Sequence, residues 1–151
     1  MILVILGSGG HTSEMLRLID GVHGSKMYIC SYGDEMSKRR VNNVIELVRP
    51  RLPAQPLLFA IPRVILSVLH TIYLMIYLKW TTKIDLVIGN GPGLCVMIFI
   101  MSRLMGIKTL YVESFARVYS LSLTGQLLQY ISIYFIVQWK ENKGTVMEWI
   151  V

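Results

Sequence analysis

Residues Ile2 to Thr12 read ILVILGSGGHT, a run of strand-forming apolar residues that breaks into glycines and ends where a helix should begin. An unbroken apolar strand is the signature of a buried parallel strand, and the turn after it needs the φ freedom of Gly7, Gly9 and Gly10. Such a strand–loop–helix leaves the first N–H groups of the helix unpaired and facing one point, which is how backbone alone builds an anion site. The spacing Gly7-Ser8-Gly9-Gly10 fits neither the dinucleotide fingerprint nor the nucleotide-triphosphate loop with its lysine. Taken alone, the loop is either a phosphate cradle or a plain tight turn. His11 favours the cradle, because an imidazole at a helix start can donate to a phosphate oxygen or act as a base near neutral pH.

The remainder of the chain alternates. Strands are expected at Ile2–Leu6, Lys26–Cys30, Gln55–Phe59, Ile84–Gly89, Lys108–Glu113 and Tyr134–Gln138. Helices are expected at Thr12–Ile19, Asp34–Val48, Arg63–Lys79, Gly93–Leu104 and Leu123–Ser132. This order implies an α/β fold, an open parallel sheet with helices on both faces. At 151 residues the chain suits one domain, 1–151, with neither repeat nor linker.

Composition asks for a greasy partner. Hydrophobic residues make up 54% and charged residues only 16%, against roughly 25% in an average soluble domain. Arg63, Lys79 and Lys83 flank the most apolar stretch, and the net charge is +6. Basic residues beside an apolar segment suit anionic lipid headgroups, each worth about 1 kcal/mol near the surface. No basic stripe interleaved with aromatics appears, so nucleic acid is not an expected partner. The uncharged stretch from Val64 to Leu78 is about 22 Å long as a helix, short of the roughly 30 Å hydrocarbon core. It is either a buried crossover helix or an element lying partly in one leaflet. Cys30 and Cys95 lack metal-ligand spacing and read as buried hydrophobes, so neither a metal nor a cofactor is expected.

Two further motifs fall at strand ends. IDLVIGNGPG places Asn90, Gly91 and Gly93 after a strand, a second glycine turn that can line the same crevice as the first, or serve only as a Pro-Gly turn. TLYVESFARV delivers Glu113 and Arg117 to the same edge. Glu113 could orient His11 or accept from a sugar hydroxyl, Arg117 could clamp phosphate, or the two could simply pair.

Together GSGGHTSEML, GNGPG, YVESFARV, LSLTGQLL and VQW, in this order, resemble the acceptor-side, membrane-associated subunit of the eukaryotic N-acetylglucosaminyltransferase of asparagine-linked glycosylation. The resemblance implies a Rossmann-like N-terminal lobe of a B-type glycosyltransferase, half of an enzyme whose donor-binding, catalytic lobe is a separate chain. It implies that the pair adds the second N-acetylglucosamine, β1,4-linked, from UDP-GlcNAc to GlcNAc-diphosphate-dolichol at the cytosolic face of the endoplasmic reticulum. The expected site is a diphosphate cradle of Gly7, Ser8, Gly9, Gly10, Thr12, Asn90, Gly91, Gly93 and Arg117, with His11 or Glu113 assisting deprotonation of the acceptor hydroxyl. The apolar tail Val146–Val151, with Trp149, Ile150 and Val151, is expected to recruit the catalytic subunit. Family members commonly carry an N-terminal transmembrane anchor; here attachment is expected to rest on internal segments such as Arg63–Lys79, unless an anchor has been trimmed away. Leu94 and Lys140 stand where the family often has threonine and proline. A subunit of a bacterial-type paired transferase acting on another lipid-diphosphate sugar, or a non-catalytic membrane scaffold, are the competing readings.

Overall fold

The computed structural model describes residues 1–50 and 57–140. Six parallel strands form one sheet: β1 (Ile2–Ile5), β2 (Lys26–Ser31), β3 (Val44–Leu47), β4 (Leu86–Gly89), β5 (Lys108–Val112) and β6 (Tyr134–Ile136). Five helices connect them: α1 (Gly10–Leu18), α2 (Glu35–Lys38), α3 (Leu57–Thr81), α4 (Leu94–Leu104) and α5 (Leu123–Ile131). The strand order is β3-β2-β1-β4-β5-β6. The sequence order therefore reverses direction at β1 and β4, which lie side by side with Ile5 opposite Gly89. In an open α/β sheet that reversal opens a crevice at the carboxyl ends of the strands. The expected open parallel sheet, covered on both faces, is present.

Alternation along each strand divides the interior in two. Leu3, Ile5, Ile29 and Val87 point into a core closed by α3, α4 and α5, while Val4, Leu6, Cys30 and Ile88 point into a smaller one with Met15 and Ile19 at α1. Successive strand side chains face opposite sides, so a strand covered on both sides must be apolar throughout. At the centre of the larger core Tyr111 stacks on Phe135 at 5.4 Å and meets Phe99 edge-on at 6.1 Å. Gly89 is required here: a Cβ would come within 2.6 Å of Cys95 Sγ and 3.2 Å of Phe99 Cε2, so its absence lets α4 lie close on β4.

Two expected elements are corrected. The helix expected over Asp34–Val48 is only the four residues of α2, and β3 occupies its end. The Asp34 carboxylate caps α2 by accepting from Ser37 N at 3.1 Å, the chain turns through Asn43 at φ 58°, and Val44 pairs with Tyr28. The strand expected over Gln55–Phe59 does not form in its described part, since Leu57 to Phe59 open α3. Pro62, expected to precede the helix, lies inside it.

The long helix α3 is turned inside out relative to a soluble amphipathic helix. Its polar stripe faces inward: Ser67 and Thr71 are buried, and Ser67 Oγ donates to Val48 O at 2.7 Å, with Arg63 Nε donating to Arg49 O at 3.2 Å. Outward stand Ile65, Leu69, Tyr73, Ile76, Tyr77 and Trp80, the last 85% exposed. A 21-residue stretch, Ile61–Thr81, is long and apolar enough to cross a membrane, yet only 28% of its most apolar window is buried in the protein. The buried-crossover alternative holds only for the inner stripe of Ser67, Thr71, Leu74, Met75 and Leu78.

Candidate functional site

The first glycine loop leaves β1 and the second leaves β4, so both rise from neighbouring strands into the crevice. The first is braced from beneath. Thr12 is buried and its hydroxyl donates to Gly7 O, while Ser37 Oγ reaches the same carbonyl at 3.3 Å and Asp34 Oδ2 at 2.7 Å. Thr12 is thus spent on holding the loop's shape. Ser8, Gly9 and Gly10 are exposed, and Gly9 at φ 65° starts α1 with no side chain capping it. The opening N–H groups of α1 consequently keep their capacity for an anion.

His11 joins the two loops. A Cβ on Gly7 would lie 2.7 Å from His11 Cβ, and one on Gly91 would lie 2.3 Å from His11 Cε1 and 2.5 Å from Nδ1. The imidazole is therefore pressed flat against backbone that only glycine can supply, and Gly91 is also at φ 76°. His11 Nδ1 is buried without a partner. So are both amide atoms of Asn90, a residue with no exposed surface. Nearly all buried polar groups in native proteins are paired, because an orphan costs about 1–3 kcal/mol. The orphaned groups lie at the same crevice, His11 on α1 after the first loop and Asn90 directly after β4.

The second loop is less free than its glycines suggest. Gly91 N–H donates to the Tyr111 hydroxyl at 3.1 Å, which also meets Ser122 Oγ at 3.4 Å. Burial, partly relieved by the Ser122 hydrogen bond, pushes the Tyr111 phenol well above its ordinary range, so it stays protonated and neutral. Gly93 caps α4.

Glu113 lies at the end of β5, but only 1% exposed and committed to the next helix. Its Oε1 accepts from Ser114 N at 2.9 Å, and its Oε2 from Ser122 N at 3.0 Å and Ser122 Oγ at 3.1 Å. Ser122 in turn caps α5 by accepting from Gly125 N at 2.9 Å. The carboxylate sits at a helix start and organises it, with no hydrogen bond to His11 among these. Arg117 is exposed on the β5–α5 loop, its N–H donating to Ser114 O at 2.9 Å. Trp149, Ile150 and Val151 lie outside the described residues.

Sequence reading missed Glu14. From α1 its Oε2 accepts from Ser114 Oγ at 3.1 Å, and its Oε1 from Phe115 N at 2.6 Å and from Gln138 Nε2, which also reaches Glu113 O at 2.8 Å. One carboxylate thereby ties the first helix to the β5–α5 loop and the chain beyond β6. Its only sequence signal is its place one helical turn after the glycine loop. Beside the tie lies an open cavity of about 630 Å³ running from Gly10 and His11 along α1 to Arg17 and Leu18, walled opposite by Phe115 and Gln138. Volumes of a few hundred to a thousand Å³ suit small-molecule ligands.

The family described as "Oligosaccharide biosynthesis protein Alg14 like" matches residues 2–149. The UDP-N-acetylglucosamine transferase subunit ALG14 of Rattus norvegicus is 38% identical, over 94% of this chain and 76% of that protein. Its Homo sapiens counterpart is 37% identical over the same shares, and that of Saccharomyces cerevisiae 30% identical over 97% of this chain and 72% of that protein. Among solved structures, MurG from Acinetobacter baumannii superposes with a TM-score of 0.72 at 13% identity, over 99% of this chain. The chain spans 44% of the MurG chain, and at that identity the likeness speaks for the fold, a Rossmann-like lobe of the B-type glycosyltransferase architecture.

Proposed function

Given that the chain belongs to the Alg14-like family of oligosaccharide biosynthesis proteins, we propose that it is the acceptor-side subunit of a UDP-N-acetylglucosamine transferase. Its crevice binds GlcNAc-diphosphate-dolichol, and a separate catalytic subunit brings UDP-GlcNAc to form the β1,4 linkage. The observation that carries this reading is the pair of orphaned groups, His11 Nδ1 and the Asn90 amide, beside the uncapped start of α1. The diphosphate rests on the N–H groups of Ser8 to His11, where partial positive charge meets negative charge without a metal. Asn90 completes the cradle from the neighbouring strand, and with His11 it holds the acceptor hydroxyl toward the donor. His11 is the better placed of the two expected bases, because the Glu113 carboxylate is taken up at the start of α5.

The outward apolar face of α3 supports a membrane-bound acceptor. A polyprenyl chain keeps its substrate at the bilayer, so the protein must work there too, on the cytosolic face of the endoplasmic reticulum. The tail Val146–Val151 is retained in this reading as the recruiting segment for the catalytic subunit. An interface of that kind buries on the order of 1,000 Å² or more.

The test is a reconstituted two-chain assay of transfer from UDP-GlcNAc to a lipid-diphosphate-linked GlcNAc. His11→Ala should lower kcat by about 10²–10⁴ if the imidazole is the base, and raise the acceptor KM alone if it only binds diphosphate. Asn90→Ala should raise the acceptor KM. Wild-type turnover from both variants would remove the crevice from the reaction. Undiminished co-purification of the catalytic subunit after deletion of Val146–Val151 would place the partner contact elsewhere.

A further inference from the structure

The cavity beside His11 is not needed to hold a diphosphate, which the loop and the helix start already accommodate. It begins at Gly10 and His11 and extends along α1 for about two turns, to Arg17 and Leu18. Its far wall is unusual. Phe115 is 57% exposed, with its ring centroid 4.6 Å from that of Trp139, and Trp139 Nε1 donates to the Phe115 backbone O at 2.7 Å. Phe115 N and the neighbouring Ser114 hydroxyl are both held by the Glu14 carboxylate. An exposed aromatic ring backed by a second ring and lining a cavity with Ser13 and Arg17 is a surface suited to a sugar, whose C–H face stacks on a ring while its hydroxyls meet polar groups.

From this geometry we propose that the cavity seats the pyranose ring next to the diphosphate, stacked on Phe115, and that Glu14 is the positioning residue that sets this wall. This rests on the acceptor reading above and adds where the sugar lies. Glu14 is itself part of the cavity lining, but its oxygens are already taken up by this wall. Its two oxygens receive a hydroxyl, a backbone N–H and an amide, all donors. The carboxylate accepts from all three, whereas an apolar side chain at position 14 leaves the Phe115 N–H and the Gln138 amide without their acceptor.

The experiment uses the two-chain enzyme with a short-chain prenyl-diphosphate-GlcNAc as acceptor, measuring KM for each substrate and kcat. Phe115→Ala and Glu14→Leu should each raise the acceptor KM roughly tenfold, the scale of one lost aromatic contact, while the UDP-GlcNAc KM and kcat stay near wild type. Glu14→Gln keeps an acceptor oxygen for Phe115 N–H and Gln138 Nε2 and an amide to donate to the Ser114 hydroxyl, so its acceptor KM should stay much nearer wild type than that of Glu14→Leu. An acceptor KM unchanged in Phe115→Ala overturns the sugar seat while leaving the diphosphate cradle standing. A fall in kcat alone, with both KM values unchanged, also overturns it, since that is the mark of fewer folded molecules. Phe115 is at the surface, so its variant reports even if Glu14→Leu fails to fold. Failure of the wild-type enzyme to use this acceptor would bring down the underlying assignment as well.

Discussion

Gly91→Ala isolates the contact that joins the two glycine loops. The new Cβ would stand 2.3 Å from His11 Cε1 and 3.0 Å from Nε2, well inside any tolerated carbon contact, and alanine would have to adopt φ near 76°. The left-handed backbone costs about 1–2 kcal/mol and overpacking typically 1–3 kcal/mol, giving about 2–5 kcal/mol altogether. For a domain of this size that is a fall in Tm of roughly 4–20 °C. The two contributions separate in a double-mutant cycle, because His11→Ala removes every ring atom that the new methyl would strike. In that background Gly91→Ala should cost only the backbone share, leaving a coupling of about 1–3 kcal/mol between the positions. Chemical denaturation of the four proteins measures it, with transfer activity followed in parallel. Equal costs in both backgrounds would refute the packing of the imidazole on Gly91, and with it the claim that His11 bridges the two loops.

Tyr111→Phe strips the acceptor from Gly91 N–H in a half-buried place and should cost about 1–3 kcal/mol in denaturant melts. Gly125→Ala puts a Cβ 1.9 Å from Glu113 Oε2 and should destabilise the protein by about 1–3 kcal/mol in the same melts; unchanged stability would contradict the placement of Glu113. Leu69→Asp or Trp80→Asp on the outer face of α3 should weaken flotation with anionic vesicles about tenfold or more, since burying a large apolar side chain is worth roughly 1.5–3 kcal/mol. Burial, and secondarily Asp34, push the Cys30 thiol up to about 11 from an ordinary 9.0. An acid whose charged form is disfavoured in the folded state lets the unfolded state lose its proton first, so stability should decline as pH rises from about 9 to 11. At pH 8 iodoacetamide followed by mass spectrometry should find Cys30 unmodified until the protein unfolds.

The candidate site was legible to differing degrees. Gly7, Gly9, Gly10, Gly91 and His11 stand in motifs whose strand–turn–helix form is local, and the sheet edge to which they were assigned is where they lie. Thr12 and Glu113 are on those motifs too, but their partners, Ser37 and Ser122, are distant or lie across a loop, so the hydrogen bonds that occupy them have no trace in spacing. Glu14 was overlooked for the same reason: its three donors come from about a hundred residues away.

What the chain determined by itself is everything that depends on neighbours in sequence: apolar runs short enough to be strands, glycines where the backbone turns sharply, and the alternation that makes a parallel sheet. Period and turn chemistry are properties of a few consecutive residues, and they act before any long-range contact forms. Folding in three dimensions decided the rest. It set Val44–Leu47 as an edge strand against β2 where a helix was expected, because pairing with Tyr28 to Ser31 outweighed a weak local preference. It turned the polar stripe of α3 inward, because carbonyls beyond β3 needed donors, and so left the greasy side outward. It also placed β1 beside β4, and only that adjacency converts two separate glycine turns into the walls of one crevice.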